Sequence, residues 1–218
     1  MRSERSEWNY GDAYKRHDMG GIVSIGGGRL KVHNIFDELP EFMLEADCIF
    51  CDPPCSRANI NAFYTKAGRS DYQESFEPFT NRLFECIRAV SPKQVFIEVF
   101  KSNRELFTDE LKGIFRTVME YESFYYNNRK NRCWILHAHN FEESGFCYEM
   151  NDIDEEKAIA YICENVKFDC IGDLCMGQGL VAKYAARFGR CFVGTELNGK
   201  RLAVAVERVE KELEKKEN

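Results

Sequence analysis

From Cys48 to the end of the chain, short apolar runs alternate with segments of helical periodicity. The runs ADCIFC, QVFIEVF, FDCIGDL and CFVGTEL are almost continuously apolar, the pattern of strands buried on both faces. Between them, QESFEPFTNRLFECIRAV sets Phe79, Leu83, Ile87 and Val90 at helical spacing, and LVAKYAARFG reads as a helix. The tail KRLAVAVERVEKELEKK is an amphipathic, charge-laced helix whose charges form a solvated face. Strands that alternate with helices dictate an α/β fold, with a mostly parallel sheet covered on both sides. Ligands of such sheets bind outside the carboxyl ends of strands, where strand order reverses.

The remaining segments fit around that frame. GIVSIGGGRLKVHNI reads as two short strands about Gly26–Gly28, DELPEFMLE as a turn and short helix, and the stretch from Asp52 to about Tyr72 as a loop. RELFTDELKGIFRTVME reads as a helix, YESFYY and CWILHAH as a strand pair around NNRKNR, and EEKAIAYICENV (155–166) as a further helix. The 218 residues suffice for one domain, expected over 21–218 after a polar segment at 1–20.

A formal net charge of -6 argues against a uniformly basic nucleic-acid-binding domain, though it permits a local basic groove. The opening MRSERSEWNY has no apolar leader, and no run reaches membrane-spanning length. Of the ten cysteines, Cys48, Cys51, Cys170 and Cys191 lie in apolar runs, where free thiols pack as small hydrophobes. A reducing, cytoplasmic setting and no membrane partner are expected. Cys48 and Cys51 form a C-x-x-C, but a strand sends these positions to opposite faces. His137 and His139 alternate along one strand with no convergent thiol or carboxylate, so no metal site is expected.

Two strand ends carry special chemistry. ADCIFC stops at Asp52-Pro53-Pro54-Cys55 because consecutive prolines donate no ladder hydrogen bonds, leaving a carboxylate on a rigid turn at the ligand edge. DLCMGQG puts Asp173 at a second strand end and Gly177 and Gly179 in the turn before a helix, where backbone can approach a ligand and N–H groups are free. Glu196 ends the next strand, placed to accept hydrogen bonds from ribose hydroxyls. The segment is neither a dinucleotide fingerprint nor a phosphate loop, and with its acidic partner it reads as a ligand turn rather than a tight turn without a ligand.

GDLCMGQGLVAKYAARFGRCFVGTELNGKRLAVAVERV resembles the S-adenosylmethionine-binding half of DNA amino-methyltransferases, and DCIFCDPPC resembles their (D/N/S)-P-P-(Y/F/W) motif. The catalytic motif precedes the cofactor turn, as in the permuted beta group, and the resemblance spans about residues 29–210. It implies a Rossmann-like class I methyltransferase fold with an antiparallel strand pair, S-adenosyl-L-methionine as cofactor and adenine N6 in DNA as target. It further implies that Asp173, Cys175, Gly177 and Gly179 border the methionine part, that Glu196 binds the ribose and that Asn198 lies near the adenine ring. Asp52, Pro53 and Pro54 would face the transferring methyl group, with Cys55 next to them. An exocyclic amine is a poor nucleophile because its lone pair is delocalised. A carboxylate and a backbone carbonyl accepting its two hydrogens turn that lone pair toward the methyl group.

The sequence departs from this family at Cys55, where an aromatic residue would stack on the flipped base; Phe63, Tyr64 or Tyr72 could supply the ring. Pro-Pro-Cys is also like the nucleophile motif of cytosine-C5 methyltransferases, with Glu98, Lys130 and Arg132 as loose counterparts of their other motifs. RNA as substrate and a non-catalytic binding subunit are further readings that the sequence allows. Arg57, Lys66 and Arg69, with Arg129, Lys130 and Arg132, could meet phosphates. Trp134 and Phe124-Tyr125-Tyr126 read as core. The family's Lys-Pro is replaced by NDIDEEK, and His137 to Asp152 leaves little or no room for a target-recognition insert, so either recognition is minimal or a homodimer or separate recognition subunit provides it.

Overall fold

The computed structural model describes residues 10–69, 75–142 and 147–217. Its strands are β1 (Ile22–Ile25), β2 (Gly28–Val32), β3 (Cys48–Cys51), β4 (Gln94–Val99), β5 (Thr117–Phe124), β6 (Arg132–His139), β7 (Ile153–Asp154), β8 (Cys170–Asp173) and β9 (Cys191–Glu196). They form one sheet in the order β1-β2-β9-β8-β3-β4-β6-β5-β7. The run from β2 through β9, β8 and β3 to β4 is parallel; β6 is antiparallel to both β4 and β5, which returns β5 to the direction of β4. The helices are α1 (Ala13–Arg16), α2 (Arg57–Lys66), α3 (Phe76–Val90), α4 (Arg104–Lys112), α5 (Glu155–Asn165), α6 (Leu180–Arg187) and α7 (Gly199–Glu217).

Strand pleating sorts the apolar residues into two cores. Ile49, Cys51, Val95 and Ile97 pack against Leu83 and Ile87 of α3 and Phe107 of α4. Cys48, Phe50, Phe96 and Ile171 face the other way, against Ile159 of α5, Ala185 of α6 and Val206 of α7. Cys48 and Cys51 therefore lie on opposite faces, as strand geometry requires. A side-chain staple joins the two sequence-distant halves. Asp47 Oδ1 accepts from the N–H groups of Asp169 (2.9 Å) and Cys170 (3.0 Å), while Oδ2 accepts from Lys93 Nζ at 2.9 Å. No helix among the described residues is long and apolar enough to cross a membrane.

Three expected elements change. The stretch after Asp52 is not a loop throughout but contains α2, started by Ser56, whose hydroxyl accepts from Asn59 N at 3.3 Å. This helix buries only Ile60 and Tyr64, too thin a stripe to stand out in the sequence. The helix beginning at Arg104 ends at Lys112, and the TVME expected to continue it opens β5, which pairs along its whole length with β6. Gly113 stops the helix, and pairing with β6 overrides the apolar spacing that continues past it. The two-residue strand β7 has no counterpart among the expected elements; it pairs with the end of β5.

Candidate active site

Parallel pairing of Cys48 with Ile171 and of Ile49 with Gly172 makes β3 and β8 neighbours. Asp52 and Asp173 thus emerge at adjacent carboxyl ends. Strand order reverses between them: β8 leads through α6 to β9 on one side, and β3 leads through α2 and α3 to β4 on the other. That divergence is the topological switch point, outside which sheets of this kind bind their ligands.

The Asp52 turn is clamped. Pro53 is buried, Asn103 Nδ2 donates to the Cys55 carbonyl at 2.6 Å, and Ser56 starts α2 directly afterwards. Asp52 is exposed as a residue, yet the surrounding protein withdraws its carboxylate from bulk water and pushes its pKa up to about 6. A hydrogen bond from Tyr125 Oη (3.2 Å) and the charge of Arg201 oppose that rise. The Cys55 thiol donates to Asn59 Oδ1 at 3.4 Å, and burial holds its pKa above the ordinary thiol value.

The glycine turn stands on the other side. Asp173 is 4% exposed, and its Oδ1 accepts from Cys175 N at 3.0 Å. Burial, with Asp52 and Glu196 nearby, lifts its pKa to about 8 against that hydrogen bond and Arg201. Gly177 and Gly179 adopt φ of 57° and 76°, the left-handed region that favours glycine. The two oxygens of Glu196 accept one backbone N–H each, from Gly177 (2.7 Å) and Asn198 (2.9 Å), fixing the carboxylate with lone pairs to spare. Asn198 Nδ2 donates to the Lys66 carbonyl at 3.1 Å and so ties α2 to this side. Arg201 reaches over the Gly177 turn and covers the Phe63 ring at 5.0 Å, within electrostatic reach of Asp52, Asp173 and Glu196. The Tyr10 hydroxyl is buried without a hydrogen-bond partner among the described residues and senses the charges of Arg201 and Glu196.

The fold therefore brings Asp52, Pro53, Pro54 and Cys55 to the same strand-end face as Asp173, Cys175, Gly177, Gly179, Glu196 and Asn198. Arg57 and Lys66 are exposed at the first and last turns of α2. Tyr64 is not available as a stacking ring: it is 3% exposed and its hydroxyl donates to Asn34 Oδ1 at 2.5 Å. Phe63 lies beneath Arg201, on the glycine-turn side, and Tyr72 lies outside the described residues. In the strand-pair loop, Arg129 pairs with Asp152, and Arg132 donates to Glu122 at 2.6 Å. Their charges are thus engaged within the loop, whereas the Lys130 side chain has no ion pair among the described residues. His137 stacks on Phe96 (4.1 Å, 12°) in the interior.

The aromatic run divides in a way not expected from the sequence. Phe124 is buried, but Tyr125 reaches Asp52 and Tyr126 is 72% exposed. Tyr125 stacks on Phe100 with centroids 5.2 Å apart and planes at 23°. Tyr125 and Phe100 follow the carboxyl ends of β5 and β4, at the edge of the sheet that carries Asp52. The strand-end rule would have found both had the direction of β5 been known.

No protein-family profile matches the chain, and no curated protein does. Solved structures do. The crystal structure of M1.HpyAVI is similar at a TM-score of 0.56 and 14% identity, covering 84% of this chain and 99% of that one. TTHA0409 from Thermus thermophilus, complexed with S-adenosyl-L-methionine, is similar at 0.56 and 13% identity, over 78% and 87%. PvuII DNA methyltransferase, cytosine-N4-specific, is similar at 0.50 and 9% identity, over 91% and 96%. The chain has the Rossmann-like methyltransferase fold of these proteins, with a mostly parallel sheet and an antiparallel strand pair.

Proposed function

We propose that this protein transfers a methyl group from S-adenosyl-L-methionine to an exocyclic amino group of a nucleic-acid base, adenine N6 in DNA. One observation carries the proposal: the Asp-Pro-Pro turn and the acidic glycine turn, roughly 120 residues apart in the chain, meet at adjacent strand ends of a methyltransferase fold. The residues present fit the cofactor. Asp52, Asp173 and Glu196 gather around Arg201, carboxyls that can ionise against the ammonium and sulfonium of the ligand. Gly177 and Gly179 open the backbone, and Glu196 keeps acceptor capacity for two hydroxyls.

When bound, the cofactor supplies an electrophilic methyl group. Asp52 accepts one amino hydrogen of the target base, and a carbonyl of the proline turn, held by the Asn103 clamp, accepts the other. The stacked Tyr125–Phe100 pair beside Asp52 supplies the aromatic surface that Cys55 lacks. Adenine is favoured over cytosine by the resemblance, in which Asp is the residue before Pro-Pro. Exposed Arg57, at the start of the helix that follows the proline turn, and exposed Lys130 suit phosphates, so binding weakens with salt. A second copy of the chain or a separate subunit supplies sequence recognition. The test is incubation with labelled cofactor and mixed DNA or RNA, with the methylated base identified by mass spectrometry. N6-methyladenine in DNA supports the proposal and 5-methylcytosine sinks it. Cofactor binding with no transfer to any base favours a non-catalytic subunit.

Cytosine-C5 attack by Cys55 is disfavoured by the state of that thiol, which is hydrogen-bonded to Asn59 and held protonated by burial. Cys55→Ser accordingly keeps turnover within about threefold, whereas a nucleophilic role would cost orders of magnitude. Steady-state rates on the identified substrate decide between these.

Cofactor affinity is expected to depend on pH through Asp173. With a pKa of about 8 in the free protein, Asp173 is largely protonated at neutral pH. A cationic ligand favours the ionised form, so binding expels a proton and tightens as pH rises from about 6 to about 8. Calorimetry in buffers of different ionisation enthalpy measures that proton; a binding constant flat across this range contradicts the assignment.

A further inference from the structure

Glu98 presents a problem that the proposed chemistry leaves unsolved. It sits on β4 with 2% exposure, inside the sheet, and its Oε1 has no hydrogen-bond partner among the described residues. A carboxyl buried in this way is expensive to keep and is retained only where it holds something. It lies against two groups, the Cys133 thiol of β6 and the Tyr125 hydroxyl. The same hydroxyl donates outward to Asp52 Oδ1 at 3.2 Å. A phenol has one O–H to donate, so once that proton points at Asp52 the Tyr125 oxygen can only accept from the interior. Glu98 is the carboxyl beneath it.

We propose that Glu98 is a positioning residue for Asp52: its carboxyl O–H donates to Tyr125 Oη, which directs the Tyr125 O–H to Asp52 Oδ1 and leaves Asp52 Oδ2 for the substrate. The three groups then form a directed chain from the core to the strand-end face, each bond polarising the next. The proton on Glu98 is consistent with its surroundings, since burial and the neighbouring charges of Asp52 and Glu155 push its pKa well above the usual carboxylate range. The chain also explains why an apolar residue would not serve on β4: it could pack, but it could not orient a hydroxyl.

The inference rests on the proposed role of Asp52, and its test separates the two. The groups facing Asp52 are Tyr125 after β5, Glu98 of β4, Cys51 of β3, Cys55 of the proline turn, Asp173 of β8, Glu155 of α5 and Arg201 of α7. Single-turnover methyl transfer is followed against pH for Glu98→Gln, Glu98→Leu and Tyr125→Phe, with cofactor Kd measured alongside. Gln keeps a donor, so most of the rate survives and the acid limb stays in place. Leu removes the donor, so the rate falls about tenfold and the acid limb moves to higher pH, toward that of Tyr125→Phe, with Kd unchanged. A wild-type rate and profile for Glu98→Leu overturns the inference. So does an acid limb that moves to lower pH in Glu98→Gln, which would mean that an ionised Glu98 had been neutralised. Titration of the 13C-labelled Asp52 carboxyl in cofactor-free protein gives the same comparison without turnover. If Glu98→Leu fails to fold, Glu98→Gln and Tyr125→Phe decide: Gln must titrate like wild type and Phe above it. Loss of transfer in wild type itself would refute the methyltransferase proposal and leave this titration standing.

Discussion

Asp52→Asn abolishes methyl transfer, by about a thousandfold or more, while the protein stays folded and still binds its cofactor. The magnitude follows from the role: a charged acceptor aligned on the reacting nitrogen contributes about 3–4 kcal/mol of transition-state stabilisation in a preorganised site. Stability moves the other way. Free aspartate ionises near 3.8, whereas in the folded protein Asp52 ionises near 6 because the surrounding protein withdraws it from water. The folded state therefore holds its proton more tightly, an advantage fully present below 3.8 and lost as pH rises through 6. Above that window the ionised side chain burdens the fold. Asparagine removes the burden, so the variant melts a few degrees above wild type near pH 7.5 and level with it near pH 3. Melting curves at the two pH values check this part, and a labelled-methyl assay checks the other. Transfer persisting in Asp52→Asn would remove the carboxylate from the mechanism. A stability gain alike at both pH values would mean that the ionised carboxylate is not what burdens the fold. Function at this position is thus held against a local energetic cost.

The parts of the site that can be read from the sequence are those in which one strand end carries its own chemistry. Asp52 and Asp173 each close a largely apolar run, and β3, β4, β8 and β9 are legible because strands buried on both faces read as near-continuous apolar runs. Their meeting is legible only through resemblance, since it depends on the pairing of β3 with β8 and on the Asp47 staple across the same gap. Tyr125 shows what is out of reach. It follows a buried phenylalanine and looks like core, and only the return of β5 alongside β6 turns its carboxyl end toward Asp52. Arg201 shows the same limit from the other side. On the amphipathic α7 it is one cation among many, and its place among three carboxylates emerges only when the helix start is set over the Gly177 turn. Tyr64 looks exposed as long as α2 is taken for a loop; in the helix, its position four residues after Ile60 sends it inward.

Gly179→Val is expected to cost the fold heavily, and cofactor binding with it. Gly179 combines two constraints that sequence alone shows as one small residue. Its φ of 76° is left-handed, and it caps the start of α6. A Cβ there would lie 2.5 Å from the Ala205 Cβ and 3.0 Å from its Cα on α7, so neither conformation nor space admits a side chain. The left-handed backbone costs a β-branched residue about 1–2 kcal/mol, and forcing the two helices apart adds about 1–3 kcal/mol. The melting temperature should fall by about 10 °C. Because α6 begins at the glycine turn, the same displacement moves the Gly177 amide that holds Glu196, and cofactor affinity should drop by at least about tenfold. Gly27→Ala separates the two constraints. Gly27 has a similar φ of 80° but open space where a Cβ would go, so it reports the conformational cost alone, about 1 kcal/mol. Gly179→Ala should cost clearly more than Gly27→Ala, and, measured against Ala205→Gly alone, adding Ala205→Gly should recover part of the difference by removing the Cβ that the new side chain meets. Equal losses at the two glycines, or a second substitution that recovers nothing, would mean that the contact between α6 and α7 does not set the shape of the turn.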